Sequence, residues 1–293
     1  MFACYPGKEF KLPIMITASI VTYENKPEVL SKTIRCYMDA NKSGNLFVVD
    51  NSRNDSARSI CTHPSIRYIF NNRNVGFGKA HNQIIKQVAN NSKYHLVLNP
   101  DVYFEKETIQ ELVNFMEANE EVGLVMPKVL YPDGRLQPLC KLLPSPHQIL
   151  VRRFLCRFKT YHQKVNYEYE MQFTGYNTIT EVPFLSGCFM LIRTEVFKKI
   201  GAFDERFFLY FEDTDLSRRI HQHYKTIFYP KVKVYHIHEH GQQRDKKRLL
   251  QGMKSAIQYF NKWGWIVDPQ RERINNAAYA KFMLNGYNWN FKY

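Results

Sequence analysis

The sequence predicts an α/β fold: a mixed, mainly parallel central sheet flanked by helices, with a helical C-terminal tail. Short apolar, β-rich runs alternate with helical patterns through the first hundred residues, and repeats of this kind form parallel sheets. Polar residues follow these strands, and ligands of parallel sheets bind beyond the carboxyl ends of the strands. A later stretch, residues 184–220, places carboxylates among seven phenylalanines and a tyrosine. Because burying an unpaired charge is costly, we expect these carboxylates to have a function.

The predicted elements follow one another with short connections. Apolar, β-branched runs predict strands, and apolar residues at helical spacing predict helices. Strands are predicted at 15–23, 46–49, 66–70, 94–98, 123–130 and 227–235, and a further apolar run spans 182–193. Helices are predicted at 27–39, 79–88, 108–118, 195–200 and 215–223, and the tail from Arg244 onward is expected to be helical. Residues 136–180 are less regular, and we expect their tyrosine-rich end to be a loop.

The composition limits the class of protein and its partners. The chain has 41 basic and 27 acidic residues and a net charge of +14, so a nucleic acid, an anionic membrane surface or a phosphorylated substrate is expected as a partner. No run of about 18 apolar residues predicts a transmembrane helix, and the N-terminus lacks the apolar core of an export signal. The six cysteines form no CxxC pair, which argues against a zinc site or a disulfide framework and favours the reducing cytoplasm.

Two strand ends supply carboxylates that suit ligand binding. Asp101 closes an Asn-Pro-Asp turn after the strand at 94–98, where it can coordinate Mg²⁺ or Mn²⁺. Asp50 follows the strand at 46–49 and can accept a hydrogen bond from a ring N–H or a ribose hydroxyl. An ordinary turn or cap is the alternative for each. Residues 74–78, NVGFG, allow a ligand to approach the backbone closely, but they match neither GxGxxG nor a P-loop.

Two further groups of polar residues are candidates for chemistry. His236, His238 and His240 alternate after the last predicted strand, which is metal-like spacing on one face; a flexible basic surface is the alternative. Asp213 follows the aromatic run at 207–211. There it is either a functional carboxylate or a residue that caps the next helix, and both roles are compatible. Asp215 is expected to cap that helix, and residues 204–205 to brace the preceding loop.

The order of these motifs resembles that of the family-2 inverting glycosyltransferases of the GT-A fold, in the rhamnosyltransferase-like branch of bacterial surface-polysaccharide synthesis. The resemblance spans about residues 15–241 and rests on IVTY, VVDNS, NVGFGKAHN, LVLNPDV and the run from FLSGC to DLSRRI. It implies a metal-dependent hexosyltransferase that uses a nucleotide-diphosphate sugar. A dTDP-rhamnose donor is favoured, and UDP- and GDP-sugars stay open. The implied acceptor is an undecaprenyl-diphosphate-linked sugar or an oligosaccharide of O-antigen, capsule or another cell-surface polysaccharide.

The resemblance also implies a role for individual residues. Asp213 would be the general base, and a Mg²⁺ or Mn²⁺ ion on Asp101 and His236 would stabilise the leaving diphosphate. His238 competes with His236 for this role, and Asn99 stands where the family motif DxD has its first aspartate. Ser186, Gly187 and Glu212 would line the acceptor. The residues implied to bind the nucleotide sugar are Thr22, Tyr23, Asp50, Asn74, Gly76, Lys79, Asn99 and Asp101.

The motif order and the composition also predict the domain organisation and the partners. We expect a main domain at residues 1–243, with a nucleotide-binding half at about 14–131 and an acceptor half at about 132–243, and a basic, aromatic extension at 244–293. Residues 148–159 and 246–265 mix basic with apolar side chains, as segments on anionic lipid do. A peripheral position on the cytoplasmic face of the membrane is therefore expected; a solvated face or a homodimer interface is the alternative.

Two other functions are disfavoured. A nucleic-acid-binding protein would explain the basic charge, but that charge is spread along the chain and no binding motif is present. We therefore expect no nucleic acid partner. A non-catalytic relative that only binds nucleotide sugar would have lost Asp213 or Asp101, and the sequence retains both.

Overall fold

The fold is built on one large sheet. The computed structural model describes residues 15–237 and 246–283. Its strands are β1 (Ile16–Thr22), β2 (Asn45–Asp50), β3 (Ile66–Phe70), β4 (Tyr94–Leu98), β5 (Val102–Phe104), β6 (Val122–Leu130), β7 (Cys140–Lys141), β8 (Thr180–Glu181), β9 (Phe184–Leu185), β10 (Phe189–Arg193) and β11 (Lys225–His236). The strand order is β3-β2-β1-β4-β10-β6-β11-β5, β8 pairs with β11, and β7 and β9 form a separate pair.

Helices cover the sheet and extend into the tail. None of the helices in the described residues is both long and apolar enough to span a membrane. The described helices are α1 (Pro27–Ala40), α2 (Phe77–Val88), α3 (Thr108–Glu117), α4 (Pro146–Phe154), α5 (Lys159–Tyr169), α6 (Thr194–Ile200), α7 (Glu212–His221), α8 (Lys246–Trp263) and α9 (Pro269–Met283).

The sheet is mixed and its first half is parallel, as predicted. β1 pairs in parallel with β2 and β4, and β2 pairs in parallel with β3. Helices α1 and α2 return the chain between these strands, which parallel pairing requires. β10 is antiparallel to both of its neighbours, β4 and β6. Every residue of β1 is buried, as expected for a strand that is covered on both faces of the sheet.

The structure corrects the sequence prediction in three places. The tyrosine-rich end of residues 136–180 is helix α5 and not a loop, because Val165 and Tyr169 are buried together on one side of it. Strand β5 has only three residues, too few for a pattern in the sequence to predict it. Helix α7 begins at Glu212 and not at residue 215, so Asp213 lies in its first turn.

Asp215 has a different role from the predicted helix cap. It is fully buried, and its carboxylate accepts hydrogen bonds from Arg219 Nε and Trp263 Nε1, both at 2.8 Å. The Lys262 ammonium lies 2.7 Å from the same carboxylate. The cap residue of α7, Phe211, makes no capping hydrogen bond with its side chain. Because Lys262 and Trp263 belong to α8, Asp215 fixes the tail to α7.

A second buried ion pair attaches α7 to the segment before α9. The Arg218 guanidinium binds both oxygens of Asp268, at 2.7 and 2.6 Å, and the two side chains are 1% and 3% exposed. Such a bidentate pair needs the two segments to be held in one arrangement. Residues 246–283 thus pack against the same body as α7, and the boundary at 243/244 stays a prediction.

Candidate active site

The carboxyl ends of β1, β2 and β4 lie side by side at one edge of the sheet. Thr22 at the end of β1 pairs with Asp50 at the end of β2, and β1 also pairs with β4 up to Leu98. Strand β10 runs in the opposite direction, so its first residue, Phe189, lies beside Leu98. The segment before it, residues 186–188, therefore reaches the same edge. The predicted convergence of strand ends is present.

Asp50 is fully buried, and its own surroundings orient it. One oxygen accepts the Ser52 N–H at 2.8 Å, and the other accepts the Tyr68 hydroxyl at 2.6 Å. Burial, and then the hydrogen bond to Asp50, raise the pKa of Tyr68, so this phenol keeps its proton and donates it to the carboxylate. Asp50 is thus held in one orientation at the strand end.

The segment around Asn74 is fixed against the aromatic run that precedes α7. Asn74 Oδ1 accepts the Gly76 N–H at 3.0 Å. Gly76 has a φ of +94°, and a Cβ there would lie 2.7 Å from the carbonyl oxygen of Phe208. The Phe77 N–H donates to that same carbonyl at 3.1 Å. Only glycine fits here, both because of its φ and because of this close approach.

The remaining residues predicted to bind the donor differ in their surroundings. The Thr22 hydroxyl and the Tyr23 N–H both donate to Asn25 Oδ1 at 3.0 Å, which shapes the turn after β1. Lys79 is exposed in the first turn of α2, and its ammonium lies 3.5 Å from Glu205 Oε2. Glu205 thereby braces its loop against α2, as predicted. The contact of Lys79 with the donor stays a prediction.

Asp101 and His236 meet where β4 leads into β5. His236 pairs with Val102 across β5 and β11, and its Nε2 lies 3.3 Å from Asp101 Oδ1. Gln137 fixes the ring from the other side, since its Nε2 donates to the His236 carbonyl at 2.7 Å and its Oε1 lies 3.0 Å from His236 Nδ1. The amide oxygen cannot donate, so Nδ1 must hold a proton.

This arrangement fits a divalent ion. With its proton on Nδ1, His236 directs Nε2 towards Asp101 Oδ1 and towards the Asn99 amide, whose Nδ2 lies 3.4 Å from Nε2. Asp101 Oδ1 is buried and has no hydrogen-bond partner in the described residues, and a cation bound between it and Nε2 would satisfy it. A metal-bound histidine commonly donates its other N–H to a carbonyl oxygen, as Nδ1 does here.

The pair supplies only part of a coordination shell. In the part of the chain that the structure describes, no group of three or more histidine, cysteine or acidic side chains could hold a metal ion. Mg²⁺ in phosphate-binding sites commonly has one or two carboxylate ligands, with substrate phosphates and water completing the shell. His238, the predicted competitor, and His240 lie outside the described residues.

Asp213 faces the same edge from the first turn of α7. It is half-buried, and its Oδ2 accepts the Gly187 N–H at 2.9 Å while Oδ1 accepts the Thr214 N–H at 2.8 Å. Burial raises the pKa of Asp213, against the opposing effects of the two N–H groups and of the Lys141 charge. Burial thus outweighs the stabilisation of the charged form, which brings the carboxyl closer to the range of a useful general base.

Glu212 differs from its neighbour. It is buried, and its Oε2 has no hydrogen-bond partner in the described residues. Burial, and then the charge of Asp213, raise the pKa of Glu212 well above its usual value, so Glu212 is the protonated member of the pair. A Cβ at Gly78 would lie 3.5 Å from the Glu212 Cβ, so Glu212 packs on the side of α2. Its contact with an acceptor stays a prediction.

One short segment, residues 186–188, connects Asp213 to the strand end that carries Asp101, which with His236 we call the metal pair. The Asn99 N–H donates to the Cys188 carbonyl at 2.9 Å, and the preceding residue, Gly187, holds Asp213. A Cβ at Gly187 would lie 3.2 Å from the Asp213 Cβ, so this close packing favours glycine. Ser186, also predicted at the acceptor entrance, is half-buried next to it.

The turn that precedes Asp213 has a strained backbone. It contains two non-glycine residues with left-handed φ, Tyr210 at 65° and Phe211 at 67°, and such strain clusters at active sites.

Two residues of the site were missed by the sequence reasoning. Gln137 orients His236, and Lys141 interacts electrostatically with Asp213. Both lie in the irregular stretch after residue 135, where no periodicity or motif marks a single polar residue. Lys141 reaches the site only because β7 pairs with β9, which places it opposite Phe184. Nothing in the sequence alone identifies that pairing.

Comparison with known proteins identifies the family of the chain. A family model described as "Glycosyltransferase like family 2" matches residues 13–253. The chain is 25% identical over 278 residues to the N-acetylglucosaminyl-diphospho-decaprenol L-rhamnosyltransferase of Mycobacterium tuberculosis, covering 88% of each protein. It is 22% identical over 248 residues to the rhamnosyltransferase WbbL of Escherichia coli K12, covering 79% of this chain and 88% of that protein.

Solved structures show the same fold. The mannosyltransferase PcManGT from Pyrobaculum calidifontis, in complex with GDP-Man and Mn²⁺, superposes with a TM-score of 0.55 and 16% sequence identity over 93% of this chain and 76% of that chain. This likeness supports the fold alone, and it confirms the predicted GT-A architecture. Because the family model spans most of the sequence, the chain belongs to the family described as glycosyltransferase like family 2.

Proposed function

We propose that this glycosyltransferase inverts the anomeric carbon of a nucleotide-diphosphate sugar and transfers the sugar to a lipid-linked acceptor, with Asp213 as the general base. The observation that supports this most strongly is the state of Asp213. Its carboxylate is fixed by the Gly187 N–H and half-open to solvent, and burial raises its pKa. A single displacement needs one such base and no second nucleophilic carboxylate.

In the proposed reaction Asp213 accepts the proton of the acceptor hydroxyl while that oxygen attacks the anomeric carbon from the side opposite the diphosphate. The nucleoside would lie along the strand ends at Thr22 and Asp50, next to residues 74–76. Asp101 and His236 would hold a divalent ion, Mg²⁺ or Mn²⁺, which supplies charge to the leaving diphosphate when bound. Glu212, being protonated, leaves Asp213 as the basic carboxylate of the pair.

The identity of the substrates rests on relatives. The Mycobacterium tuberculosis relative is named for transfer of L-rhamnose to N-acetylglucosaminyl-diphospho-decaprenol, and the Escherichia coli relative is a rhamnosyltransferase. We therefore propose a rhamnosyl donor, with dTDP-rhamnose as the first candidate and UDP-sugars as the next. The proposed acceptor is a glycosyl diphosphate on a polyprenyl lipid, used in the synthesis of a cell-surface polysaccharide.

The replacement Asp213→Asn tests the proposed base. We expect turnover to fall by roughly 10²–10⁴-fold, while donor affinity, measured by titration calorimetry with Mn²⁺, stays within about twofold because Asp213 does not bind the nucleotide. Asp39→Asn, the same change at an exposed position on α1, serves as the control and should retain wild-type turnover. Full activity of Asp213→Asn would refute the assignment.

A membrane-facing surface follows from exposed apolar side chains on two helices. Ile149 of α4 packs on the cluster of Phe207, Tyr259 and Phe260 that α8 also contributes to, so the two helices are neighbours. We call their outer faces the α4–α8 surface. Its exposed apolar residues are Leu150, Phe154, Leu250, Met253 and Ile257.

The basic residues of the α4–α8 surface favour an anionic membrane as its partner. Leu250, Met253 and Ile257 form a stripe at helical spacing, and they are 65%, 43% and 48% exposed. Exposed basic residues accompany the apolar ones, among them Arg153 on α4 and Lys254 on α8. Apolar and basic side chains together favour binding to anionic lipid, and this would place the enzyme beside a lipid-linked acceptor.

Vesicle sedimentation tests this surface. The double variant Leu250→Ser/Ile257→Ser should bind phosphatidylglycerol vesicles at least about tenfold more weakly, because each lost apolar contact contributes about 1 kcal/mol or more. Ile179→Ser, at an exposed apolar residue in the loop before β8, should bind like the wild type. Equal binding of wild type and double variant would contradict the membrane assignment, and a dimer in light scattering that the double variant abolishes would instead identify a homodimer interface.

A further inference from the structure

A lysine that sequence reasoning missed lies beside the proposed base. Lys141 is opposite Phe184 in the pairing of β7 with β9, and its ammonium lies 5.2 Å from the Phe184 ring. Strand β9 runs directly into residues 186–187, where the Gly187 N–H holds Asp213. Lys141 and Asp213 consequently influence each other electrostatically. Lys141 belongs to β7, whereas Asp101 and His236 meet at the β4–β5 turn.

The charge of Lys141 is poorly compensated. It is half-buried, and among the described residues its ammonium has neither a hydrogen-bond acceptor nor an ion-pair partner. Burial, and then the neighbouring Arg152 charge, lower the pKa of Lys141. A half-buried ammonium without a partner is costly in the free protein, and a bound anion would remove that cost.

Arg152 supplies a second unused donor at the same place. Its Nη2 donates to Glu170 Oε1 at 2.9 Å, and its guanidinium lies 4.3 Å from the Tyr169 ring centroid. The Tyr169 carbonyl accepts the N–H of Leu142, the residue after Lys141, so the residue whose ring contacts the Arg152 guanidinium is bonded to the backbone next to Lys141. Arg152 Nη1 is buried and has no hydrogen-bond partner in the described residues.

We propose that Lys141 and Arg152 form a subsite that binds the diphosphate of a glycosyl-diphosphate acceptor. This rests on the proposed function, in which Asp213 receives the proton of the acceptor hydroxyl. In a glycosyl diphosphate the phosphate is separated from the sugar hydroxyls by one sugar ring, and Lys141 interacts electrostatically with Asp213 without a hydrogen bond to it. A diphosphate there accepts from the ammonium and from Nη1.

The position of Arg152 would allow the lipid that is attached to the diphosphate to reach the α4–α8 surface. Arg152 lies on α4, the helix whose Leu150 and Phe154 are 53% and 56% exposed on the α4–α8 surface. A lipid chain leaving the subsite can therefore pass along α4 into the membrane. The donor diphosphate is assigned to Asp101 and His236 instead, so the two diphosphates would be bound by different residues.

Acceptor kinetics with Lys141→Met test the subsite. The probes are a short-chain lipid glycosyl diphosphate and an uncharged alkyl glycoside of the same sugar, both with saturating donor. Loss of one charge-assisted hydrogen bond should raise KM for the diphosphate acceptor about tenfold or more, leave KM for the uncharged glycoside unchanged, and leave KM for the donor unchanged. Lys141→Arg should restore most of the affinity, because it keeps the charge.

Lys231→Met is the matched control, since Lys231 is an exposed lysine whose ammonium lies 5.8 Å from the Tyr229 ring; it should behave as wild type. A direct titration of the lipid glycosyl diphosphate, in EDTA and without donor, should show binding to wild type and about tenfold weaker binding to Lys141→Met. Equal losses with both acceptors, or a raised KM for the donor alone, would overturn the subsite and leave the proposed function intact. A wild type that transfers no sugar to either acceptor would overturn the proposed function itself.

Discussion

Two parts of the site differ in how their polar atoms are satisfied: the nucleoside edge, formed by Thr22, Asp50 and residues 74–76, and the reaction edge, which contains Asp101, Glu212, Asp213 and Arg152. At the nucleoside edge, the Asp50 oxygens accept from Ser52 and Tyr68, and Asn74 accepts from Gly76. At the reaction edge, three buried atoms have no hydrogen-bond partner in the described residues. These are Asp101 Oδ1, Glu212 Oε2 and Arg152 Nη1.

This difference indicates where ligands contribute most to the stability of the site. The nucleoside edge is organised before binding, so binding there costs little reordering. Each buried atom without a partner costs the free protein about 1–3 kcal/mol, and native proteins retain few of them. The others in the described residues are His81 Nε2, Asn166 Oδ1 and Arg271 Nη1. We infer that the reaction edge is completed by its metal ion and by the charged groups of its substrates.

The largest expected effect is a difference in stability between variants of two aspartates in the same turn of α7. Asp215→Asn removes a buried charge partner of Arg219 and Lys262, and breaking a buried pair costs about 3–5 kcal/mol in unfolding free energy. Asp213→Asn should cost less, about 1–3 kcal/mol, because asparagine keeps one acceptor oxygen for the Gly187 and Thr214 N–H groups and burial already disfavours the charged form. Urea denaturation of both variants at neutral pH measures the difference. Equal destabilisation would contradict the division into a structural and a catalytic aspartate.

The metal pair gives the next largest effect. Asp101→Asn should lower Mn²⁺-dependent turnover about 100-fold or more, and Gln137→Leu should weaken Mn²⁺ binding about 10–100-fold, because Gln137 orients the His236 ring. Mn²⁺ binding is measured by electron paramagnetic resonance with a nucleoside diphosphate present. Gln110→Leu, the same change on the exposed face of α3, is the control. Full activity of the wild type after exhaustive chelation would contradict the metal assignment.

Replacing two glycines by alanine measures the effect of the close contact between Gly76 and the Phe208 carbonyl. Gly134 has a φ of +85° and nothing within 4 Å of a built Cβ, whereas Gly76 has a φ of +94° and the Phe208 carbonyl 2.7 Å away. Gly134→Ala should therefore cost only about 1 kcal/mol of backbone strain. Gly76→Ala should cost roughly 3 kcal/mol and also weaken donor binding. Thermal unfolding and donor titration compare them, and equal losses of stability would show that the contact with Phe208 is unimportant.

Two buried histidines beneath the nucleoside edge give the smallest effect, a dependence of stability on pH. Burial lowers the pKa of His95 to about 3 and also lowers that of His81. Below about pH 6.5 the unfolded chain binds protons that the folded chain does not, so stability is complete above that pH and falls towards pH 3. Each histidine contributes a slope of up to about 1.4 kcal/mol per pH unit. Urea denaturation between pH 7 and 5 should show a shallower slope for His95→Gln, and an unchanged slope would contradict this.

Regular elements could be predicted from the sequence because burial imposes a period on them. Strands β3 and β4 begin and end where the apolar runs do, and the ends of the predicted strands identified Asp50 and Asp101 as candidates. The motif order gave Asp213 and the family. Helix α5 was missed because its average hydropathy is low and only Val165 and Tyr169 are buried in it.

The rest of the site depends on pairing that no local pattern specifies. Lys141 belongs to a two-residue strand, and its neighbour Phe184 is distant in sequence. Gln137 reaches His236 across 99 residues. Asp215 was expected to cap α7, but its partners Lys262 and Trp263 come from the tail. Contacts between distant segments decide which polar residues are structural and which remain available for substrates.

The stereochemistry of the product tests the proposed mechanism most directly. Wild-type enzyme would be supplied with Mn²⁺, a nucleotide sugar of known anomeric configuration and a short-chain lipid glycosyl diphosphate, and the new linkage would be examined by NMR before any rearrangement. With Asp213 as a base and no nucleophilic carboxylate, we predict a single displacement and an inverted anomeric centre. A product that retains the configuration of the donor would contradict this mechanism, since retention requires a different course of reaction.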